Sequence, residues 1–154
     1  MASSKFSMAV HTLALVARYE EKPVNSEFLA CSVKTNAVVI RRLLSELARA
    51  NFVVSQAGAN GGTRLAREPE KICLLGVYRA VENGQVFALP RNAPDKKCDI
   101  GRNIEAVLGE IQSCLDAAVE DVLGKMTLAD VVRKIEEFKA GEKKTRQKDK
   151  DCLK

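Results

Sequence analysis

Five cysteines and one histidine are the side chains of this 154-residue chain that could react with an oxidant or bind a transition metal. The cysteines are widely and irregularly spaced, at Cys31, Cys73, Cys98, Cys114 and Cys152. An odd number of cysteines at such spacing predicts free thiols in a reducing compartment rather than a disulfide framework. The histidine, His11, falls within a predicted helix, where we expect a structural or surface role. The spacing of these side chains therefore predicts no metal site.

Cys98 is the cysteine whose neighbours in the sequence most favour reactivity. It follows Lys96 and Lys97 and stands at the predicted start of a long helix. Cations and a helix N-terminus both stabilise a thiolate, which is the reactive form of the side chain, whereas Asp99 opposes this effect. We therefore predict a switch at Cys98 that responds to oxidants or electrophiles, with Cys31 as a candidate partner. The alternative is that Cys98 is a partly buried cap residue of the helix.

Basic side chains are concentrated in one part of the chain. Residues 33–67 hold six lysines and arginines and one acid, whereas residues 99–138 hold four bases and nine acids. A basic tail follows, because residues 139–154 hold seven bases and three acids. A basic block on a folded segment is typical of a protein that binds a polyanion. A solvated charged face is the alternative, and the charge count alone does not separate the two.

The spacing of apolar residues shows which elements must position these charges. It predicts a helix, a short helix, a turn and a strongly amphipathic helix over residues 3–19, 26–31, 32–36 and 37–50. Two short strands, joined by a glycine-rich segment that suits a hairpin tip, follow at 52–55 and 63–66. This order is that of a winged helix-turn-helix. It places Arg41 and Arg42 on the second helix of the motif and Arg64 in the hairpin, so that one surface could hold DNA phosphates and bases.

The second half of the chain is predicted to be helical. A helix over 71–82 should pack under the hairpin, and the longest helical stretch covers 99–125. The apolar stripe of this long helix is too broad to be covered by its own small domain, so we predict pairing with a second copy of the chain. The predicted dimer contacts are Ile100, Ile104, Val107, Ile111, Cys114, Leu115 and Ala118. An ordinary core helix of a monomer is the alternative.

The predicted fold class is mainly α with a small β-hairpin wing. It comprises a winged helix-turn-helix DNA-binding domain over 1–82, a loop over 83–98, dimerisation helices over 99–139 and a basic disordered tail over 140–154. No apolar run approaches the ~20 residues of a membrane-spanning helix, and no signal peptide is recognisable, so we expect a cytoplasmic protein. The sequence shows no carboxylate pair, Cys/His dyad, phosphate-binding loop or metal-ligand cluster, so no enzyme is expected.

Three stretches of the sequence carry a resemblance to a known family. They are the helix and strand entry, the glycine-rich hairpin and the helix after it, at residues 42–53, 58–66 and 72–84. These stretches are similar to the Rrf family of bacterial winged-helix transcription regulators, and the resemblance covers roughly residues 4–138. It implies a homodimer that is bridged by the long helix and binds a palindromic operator in double-stranded DNA, with repression of transcription as the expected result.

The resemblance also implies which residues contact DNA. Ser4 and Lys5 match phosphate-contacting residues, and Val38, Val39 and Arg41 fall where recognition-helix side chains face bases. With the adjoining turn, helix and wing, the candidate set is Ser4, Lys5, Thr35, Asn36, Val38, Val39, Arg41, Arg42, Asn60, Gly61 and Arg64. Arg41 replaces a glutamate found in some members, and a guanidinium there favours guanine O6 and N7. The operator sequence of those members therefore does not transfer to this chain.

Iron–sulphur members of the family carry three closely spaced cysteines in the loop before the long helix, where this chain has Cys98 alone. Because a cluster takes three or four thiolates, we expect no iron–sulphur cluster and no other cofactor. Two alternatives remain. A small-molecule effector could bind between the DNA-binding domain and the long helix, with residues 86–90 lining its pocket. A protein-interaction module that never touches DNA is the other, and Arg41 and Arg42 argue against it.

Overall fold

The computed structural model describes residues 4–58, 61–82, 87, 89–90 and 92–151, with side chains up to residue 141. Its elements in chain order are α1 (Lys5–Arg18), α2 (Ser26–Val33), α3 (Ala37–Arg49), β1 (Val53–Gln56), β2 (Gly62–Leu65), a 3₁₀ turn (Pro69–Lys71), α4 (Leu74–Val81), α5 (Asp99–Gly124) and α6 (Leu128–Asp151). The predicted fold class, mainly α with a two-stranded hairpin, is confirmed.

Two asparagines set the geometry of the helix-turn-helix. Asn25 and Asn36 precede α2 and α3, and the side-chain oxygen of each accepts a hydrogen bond from a backbone amide of the first turn, at 2.8 Å. Such caps satisfy amides that have no partner within the helix. Lys34 ends α2 in the left-handed region at φ 56°, and Asn51 follows α3 in the same region at φ 59°. The chain therefore turns sharply after each helix.

One apolar core holds α1, α3, the hairpin and the start of α6 together. Its largest fully buried side chains include Leu13, Leu29, Ile40, Leu47, Ile72 and Leu128. Since α1 packs against α2, α3, α4, α6 and β2, it is the central element of this core. Burial of such side chains contributes about 1.5–3 kcal/mol each. The core thereby fixes the orientation of α3 relative to the hairpin.

The hairpin is antiparallel, with Val53 opposite Leu65 and Gln56 opposite Gly62. A short extended segment joins it, because the backbones of Val24 and Thr63 exchange two hydrogen bonds of 3.0 and 2.8 Å. Gly62 has φ +148°, and a Cβ at this position would lie 2.8 Å from a Pro23 atom. Glycine is therefore required where the second strand passes under the segment that leads into α2.

The helix predicted over 71–82 begins later than expected, and the reason lies in the backbone. The amide of Leu74 donates to the carbonyl of Met126 at 2.9 Å, and the amide of Leu128 donates to that of Ile72 at 2.9 Å. These bonds hold residues 72–74 extended, with a 3₁₀ turn before them. They also anchor the start of α6, where Leu128 is fully buried, on the winged-helix core.

The last two helices differ from each other in their packing. Gln112 is the one residue of α5 that is buried, and its amide donates to the carbonyl of Phe87 at 3.1 Å. The long helix α5 packs against α4, whereas α6 packs against α1 and the 3₁₀ turn. The backbone of α6 is helical to Asp151 and so runs through most of the basic tail that begins at residue 140. The Lys, Glu, Arg and Gln residues of this tail are good helix formers, and no proline interrupts them. None of the described helices is both long and apolar enough to span a membrane.

Candidate nucleic-acid interface

A groove of about 530 Å³ lies between α2, α3 and the hairpin. Its walls come from the start of α2, one face of α3 and the strands with their tip, including Ser26, Glu27, Arg41, Ser45, Gln56 and Gly61. The wall residues are mostly polar or small. The groove therefore brings the first turns of α3 and the hairpin tip to one side of the molecule, as the winged helix-turn-helix prediction requires.

The start of α3 exposes two apolar side chains. Val38 and Val39 retain 48% and 38% of their accessible surface, although the helix is strongly amphipathic and buries Ile40 completely. Asn36 caps the helix and is exposed, and Thr35 before it is half-buried. Apolar contact with a thymine methyl group is a common form of base recognition in the major groove. The two valines are thus placed at the helix end that would enter the groove of DNA.

Arg41 is held on the groove wall by the start of α2. Its Nη2 donates to Oε1 of Glu27 at 2.5 Å, and its Nε donates to Oγ of Ser26 at 3.2 Å. The pKa of the Glu27 carboxyl lies below its ordinary value. The main cause is a hydrogen bond from the backbone amide of Glu27 itself, followed by the hydrogen bonds from Arg41 and Ser26. Glu27 is consequently charged at neutral pH. Both side chains remain largely exposed, so the pair faces solvent.

The hairpin residues are divided between two faces. Gly61 lines the groove, and its amide donates to the carbonyl of Gly58 at 2.9 Å. Arg64 lies in β2 opposite Val54 and lines a different depression, together with Tyr19. Since side chains alternate between the faces of a strand, Arg64 is turned away from the groove that contains Arg41. Arg42 is exposed on α3. Asn60 lies outside the described residues.

Ser4 and Lys5 stand at the start of α1, some way along α3 from the groove. The ammonium of Lys5 lies 3.0 Å from a carboxylate oxygen of Glu46. The amide of Phe6 donates to Oε1 of Glu82 at 3.0 Å, so a glutamate satisfies the first turn of α1. Ser4 is exposed, and its carbonyl accepts a hydrogen bond from the hydroxyl of Ser7. The N-terminal candidates therefore lie beside acids that the sequence did not associate with them.

Sequence reasoning missed the acidic partners of the candidate bases. Glu27 and Arg41 are 14 residues apart, and Lys5 and Glu46 are 41 apart. Neither pair has the i,i+3 or i,i+4 spacing that marks a contact within one helix. Both pairs depend on how two helices cross, which the sequence pattern does not specify. Another base of the same block, Arg67, donates to the carbonyl of Asn51 at 3.0 Å and so supports a turn.

The predicted dimer contacts form an exposed apolar stripe along α5. Ile100, Val107, Ile111 and Leu115 are each at least 42% exposed, and Cys114 and Ala118 are exposed as well. Ile104 is half-buried. Exposed apolar side chains are ordinary when scattered singly, but a contiguous stripe of this length marks an interaction surface.

The four cysteines in the described part of the chain are free thiols. Cys98 is exposed and occupies the cap position before α5, with no side-chain hydrogen bond to the helix, and Cys31 is exposed in α2. Cys73 is half-buried at the start of α4, and Cys152 lies outside the described residues. Among the residues that the structure describes, no three Cys, His, Asp or Glu side chains come together as a metal site would need. The donors of the described residues therefore do not fit a metal ion or an iron–sulphur cluster.

Comparison with known proteins gives concordant results for sequence and fold. Residues 2–134 match the family model Rrf2, described as an iron-dependent transcriptional regulator. The chain is 38% identical over 133 residues to the HTH-type transcriptional regulator YwnA of Bacillus subtilis (strain 168), which covers 86% of this chain and 97% of YwnA. 

Two solved structures are similar in fold. The structure of T. potens IscR superposes with a TM-score of 0.67 at 26% identity, covering 89% of each chain. A transcriptional regulator from Lactobacillus plantarum superposes with a TM-score of 0.74 over 92% of this chain and 98% of its own. At 24% identity, the second likeness concerns the fold alone.

Proposed function

This chain belongs to the Rrf2 family of transcriptional regulators, and on that premise we propose that it works as a homodimer on a palindromic operator and represses the promoter that the operator overlaps. It is a DNA-binding regulator of transcription and not an enzyme, as its family membership shows. The observation that carries the dimer proposal is the packing of α5. In a helix of 26 residues, only Gln112 is buried within the described part of the chain.

A second copy would cover the stripe on α5 and hold the two winged helix-turn-helix units at a fixed distance and orientation. Its proposed contacts are Ile100, Ile104, Val107, Ile111, Cys114, Leu115 and Ala118. An interface between two identical chains is two-fold symmetric in most dimers, so each α3 would meet the same sequence on opposite strands. Such symmetry is the reason for expecting a palindromic operator. We propose residues 1–82 as the DNA-binding unit and residues 99–139 as the dimerisation helices.

The DNA-contacting surface that we propose centres on the first turns of α3. Val38 and Val39 would contact base edges, while Arg41 reads a guanine and Arg42 holds the backbone. Around them, the proposed phosphate and wing contacts are Ser4, Lys5, Thr35, Asn36, Asn60, Gly61 and Arg64. Arg64 belongs to the outer face of the hairpin, so we assign it a phosphate rather than a base.

Selection from a library of random duplexes tests this proposal. Purified, reduced protein should enrich a palindrome, and its affinity for that sequence should fall steeply as salt rises, because phosphate contacts release counterions. A reporter gene placed behind the selected operator should be less active when the protein is present. Weak binding without sequence preference would contradict the proposal, and a more active reporter would contradict repression.

We further propose that Cys98 is an oxidant-responsive thiol of this regulator. Its exposure and its position before α5 support the proposal. A peroxide would transfer one oxygen to the thiolate, giving a sulfenic acid and releasing water or an alcohol; a second thiol, for which Cys31 is the candidate, would then form a disulfide and release water. The Cys98→Ser variant should bind the operator equally with and without peroxide, whereas the wild type loses affinity. An unchanged oxidant response in Cys98→Ser would contradict this assignment.

The name of the family model mentions iron, and the residues of this chain do not fit that metal, since the described donors form no group of three. We derive no step through iron. Because a transcription regulator acts where the chromosome is, we propose a cytoplasmic location. Of the stretch 86–90 suggested as an effector pocket, residues 86 and 88 lie outside the described residues, and the carbonyl of Phe87 accepts a hydrogen bond from Gln112 of α5.

A further inference from the structure

We infer that Glu27 and Ser26 of α2 hold Arg41 by one edge of its guanidinium group so that the opposite edge is presented to a guanine. Glu27 is on this account a positioning residue for base recognition. The inference rests on the proposed function, because it concerns the operator contact of Arg41, and it assigns a role to two residues outside the recognition helix.

The first step is the geometry of the guanidinium group. It has a lateral edge, made by Nε and one hydrogen of Nη2, and a terminal edge, made by Nη1 and the other hydrogen of Nη2. Ser26 Oγ accepts from Nε at 3.2 Å and Glu27 Oε1 accepts from Nη2 at 2.5 Å. Nε belongs to the lateral edge alone, and because Ser26 Oγ and Glu27 Oε2 are hydrogen-bonded to each other, we assign the Nη2 contact to the same edge. The terminal edge keeps two parallel N–H donors, the pattern that guanine O6 and N7 accept.

The second step is the support behind these acceptors. Ser26 Oγ donates to Oε2 of Glu27 at 3.1 Å, so the serine links the two charged side chains. Both residues belong to the first turn of α2, which Asn25 caps through the amide of Phe28 at 2.8 Å. A carboxylate in the first turn of a helix is stabilised by the helix dipole. The acceptors are thus fixed to the backbone of one helix while Arg41 extends from the next.

The third step is the location of the network. Ser26, Glu27 and Arg41 line the groove between the helix-turn-helix and the hairpin, next to the exposed start of α3. An arginine side chain has many rotamers, and fixing it before binding lowers the entropy lost on contact with DNA. A planar, two-donor contact is also sensitive to small rotations. Holding the lateral edge would therefore increase discrimination among bases more than it increases overall affinity.

A different role for Glu27 makes the opposite prediction. If the carboxylate merely neutralised Arg41, its removal would strengthen binding to the operator and leave the base preference intact. Binding to unrelated duplexes does not separate the two roles, because loss of any nearby negative charge favours a polyanion. The base preference at one position of each half-site is the measurement that separates them.

The test compares four proteins on the selected operator and on its single base-pair substitutions: wild type, Arg41→Lys, Glu27→Ala and the control Glu68→Ala. Glu68 is matched to Glu27, since its carboxylate is 67% exposed against 62% and also forms a surface ion pair, with Lys71 of the 3₁₀ turn. Thermal unfolding by circular dichroism checks that every variant is folded. All exchanged side chains are exposed, so we expect intact folds.

Arg41→Lys should abolish the preference for guanine at one position per half-site and keep the salt dependence, because it retains the charge without the two-donor edge. Glu27→Ala should reduce the preference at the same position by about 5-fold or more, as expected for loss of a two-donor base contact. Glu68→Ala should keep it.

Three outcomes would overturn the inference. If Glu27→Ala retains the preference within about 2-fold, Glu27 does not position Arg41. If Arg41→Lys alters no base preference, Arg41 reads no base; the proposed function stands in that case as long as the wild type selects a palindrome. If the wild type selects no sequence at all, the proposed function fails and this inference fails with it.

Discussion

At the scale of single residues, the candidate DNA contacts are engaged with acids before DNA is present. Arg41 lies against Glu27 and Lys5 against Glu46, each within hydrogen-bond distance. Such exposed pairs contribute little to stability, because water and salt screen them. A phosphate can therefore compete with the glutamate for the lysine at little cost. The acids orient these cations more than they neutralise them.

Lys5→Ala tests the contribution of one such cation. We expect weaker binding to every duplex, whatever its sequence, because a phosphate contact carries no base information. The slope of log affinity against log salt concentration should become shallower by about one for each subunit. Titration of operator and unrelated duplexes at several salt concentrations gives both quantities.

The control for this experiment is Lys71→Ala, since Lys71 is also exposed and paired with a glutamate but lies on the 3₁₀ turn, outside the proposed interface. Its salt dependence should equal that of the wild type. A loss of base preference in Lys5→Ala without a change in salt dependence would show that Lys5 does not bind a phosphate.

At the scale of elements, the start of α6 joins two parts of the chain. Thr127 and Asp130 cap the helix reciprocally: Asp130 Oδ2 accepts from the amide and the hydroxyl of Thr127, each at 2.9 Å, and Thr127 Oγ1 accepts from the Asp130 amide at 3.3 Å. The adjoining Leu128 is fully buried in the core of the winged helix. The cap therefore stabilises the junction between the DNA-binding core and the helices that follow it.

Asp130→Asn should lower the free energy of unfolding at neutral pH but not at strongly acidic pH. The hydrogen bonds from Thr127, followed by the charge of Arg133, hold the pKa of the Asp130 carboxyl below its ordinary value of 3.8. A lowered pKa in the folded state contributes stability above the ordinary value, and this contribution is lost as the pH falls through the lowered pKa.

Urea unfolding of both proteins at equal concentration, at pH 7 and below pH 3.8, gives the comparison. The difference in the free energy of unfolding between wild type and Asp130→Asn should be present at pH 7 and shrink below pH 3.8. Glu70→Gln, an exposed change on the 3₁₀ turn, serves as the control. A difference that stays constant across this range would mean that the carboxylate charge plays no part in the cap.

The elements themselves follow closely from local sequence patterns. The apolar repeat of α3 and the glycines of the hairpin predicted a recognition helix and a wing, because periodicity and turn chemistry are local properties. Local patterns do not predict the conformation of a segment or the orientation of a side chain where contacts between distant residues determine it. Residues 72–74 are extended because they pair with residues 126–128, and the face to which Arg64 points depends on the strand register. The partners of Arg41 likewise depend on the crossing of α2 and α3.

At the scale of the whole molecule, the basic residues and the exposed apolar stripe lie in different parts of the chain. The basic half of the chain contains the groove and the start of α3, whereas residues 99–138 are acidic. Because DNA would repel an acidic dimerisation region, we expect the helix-turn-helix to face the duplex. On α6, Ile135 and Phe138 are exposed as well.

Ile111→Glu should convert the dimer into a monomer, because two charged side chains would be placed in an apolar interface. Sedimentation velocity measures the oligomeric state, and the affinity for the operator should fall as the second winged helix-turn-helix unit is lost. Ser113→Glu adds the same charge at an exposed polar position of the same helix and should remain dimeric. Retention of the dimer by Ile111→Glu would place the interface elsewhere.

The central claim is that a two-fold dimer reads two half-sites at a fixed separation. Its most direct test is the affinity of the wild type for the selected operator with and without five base pairs inserted between the half-sites, which turns one half-site by about half a helical turn. We expect the affinity for the altered operator to fall roughly 100-fold or more, to that for a single half-site, because the second contact is no longer geometrically available. Equal affinity for the two operators would contradict the claim and would mean that each subunit binds DNA independently.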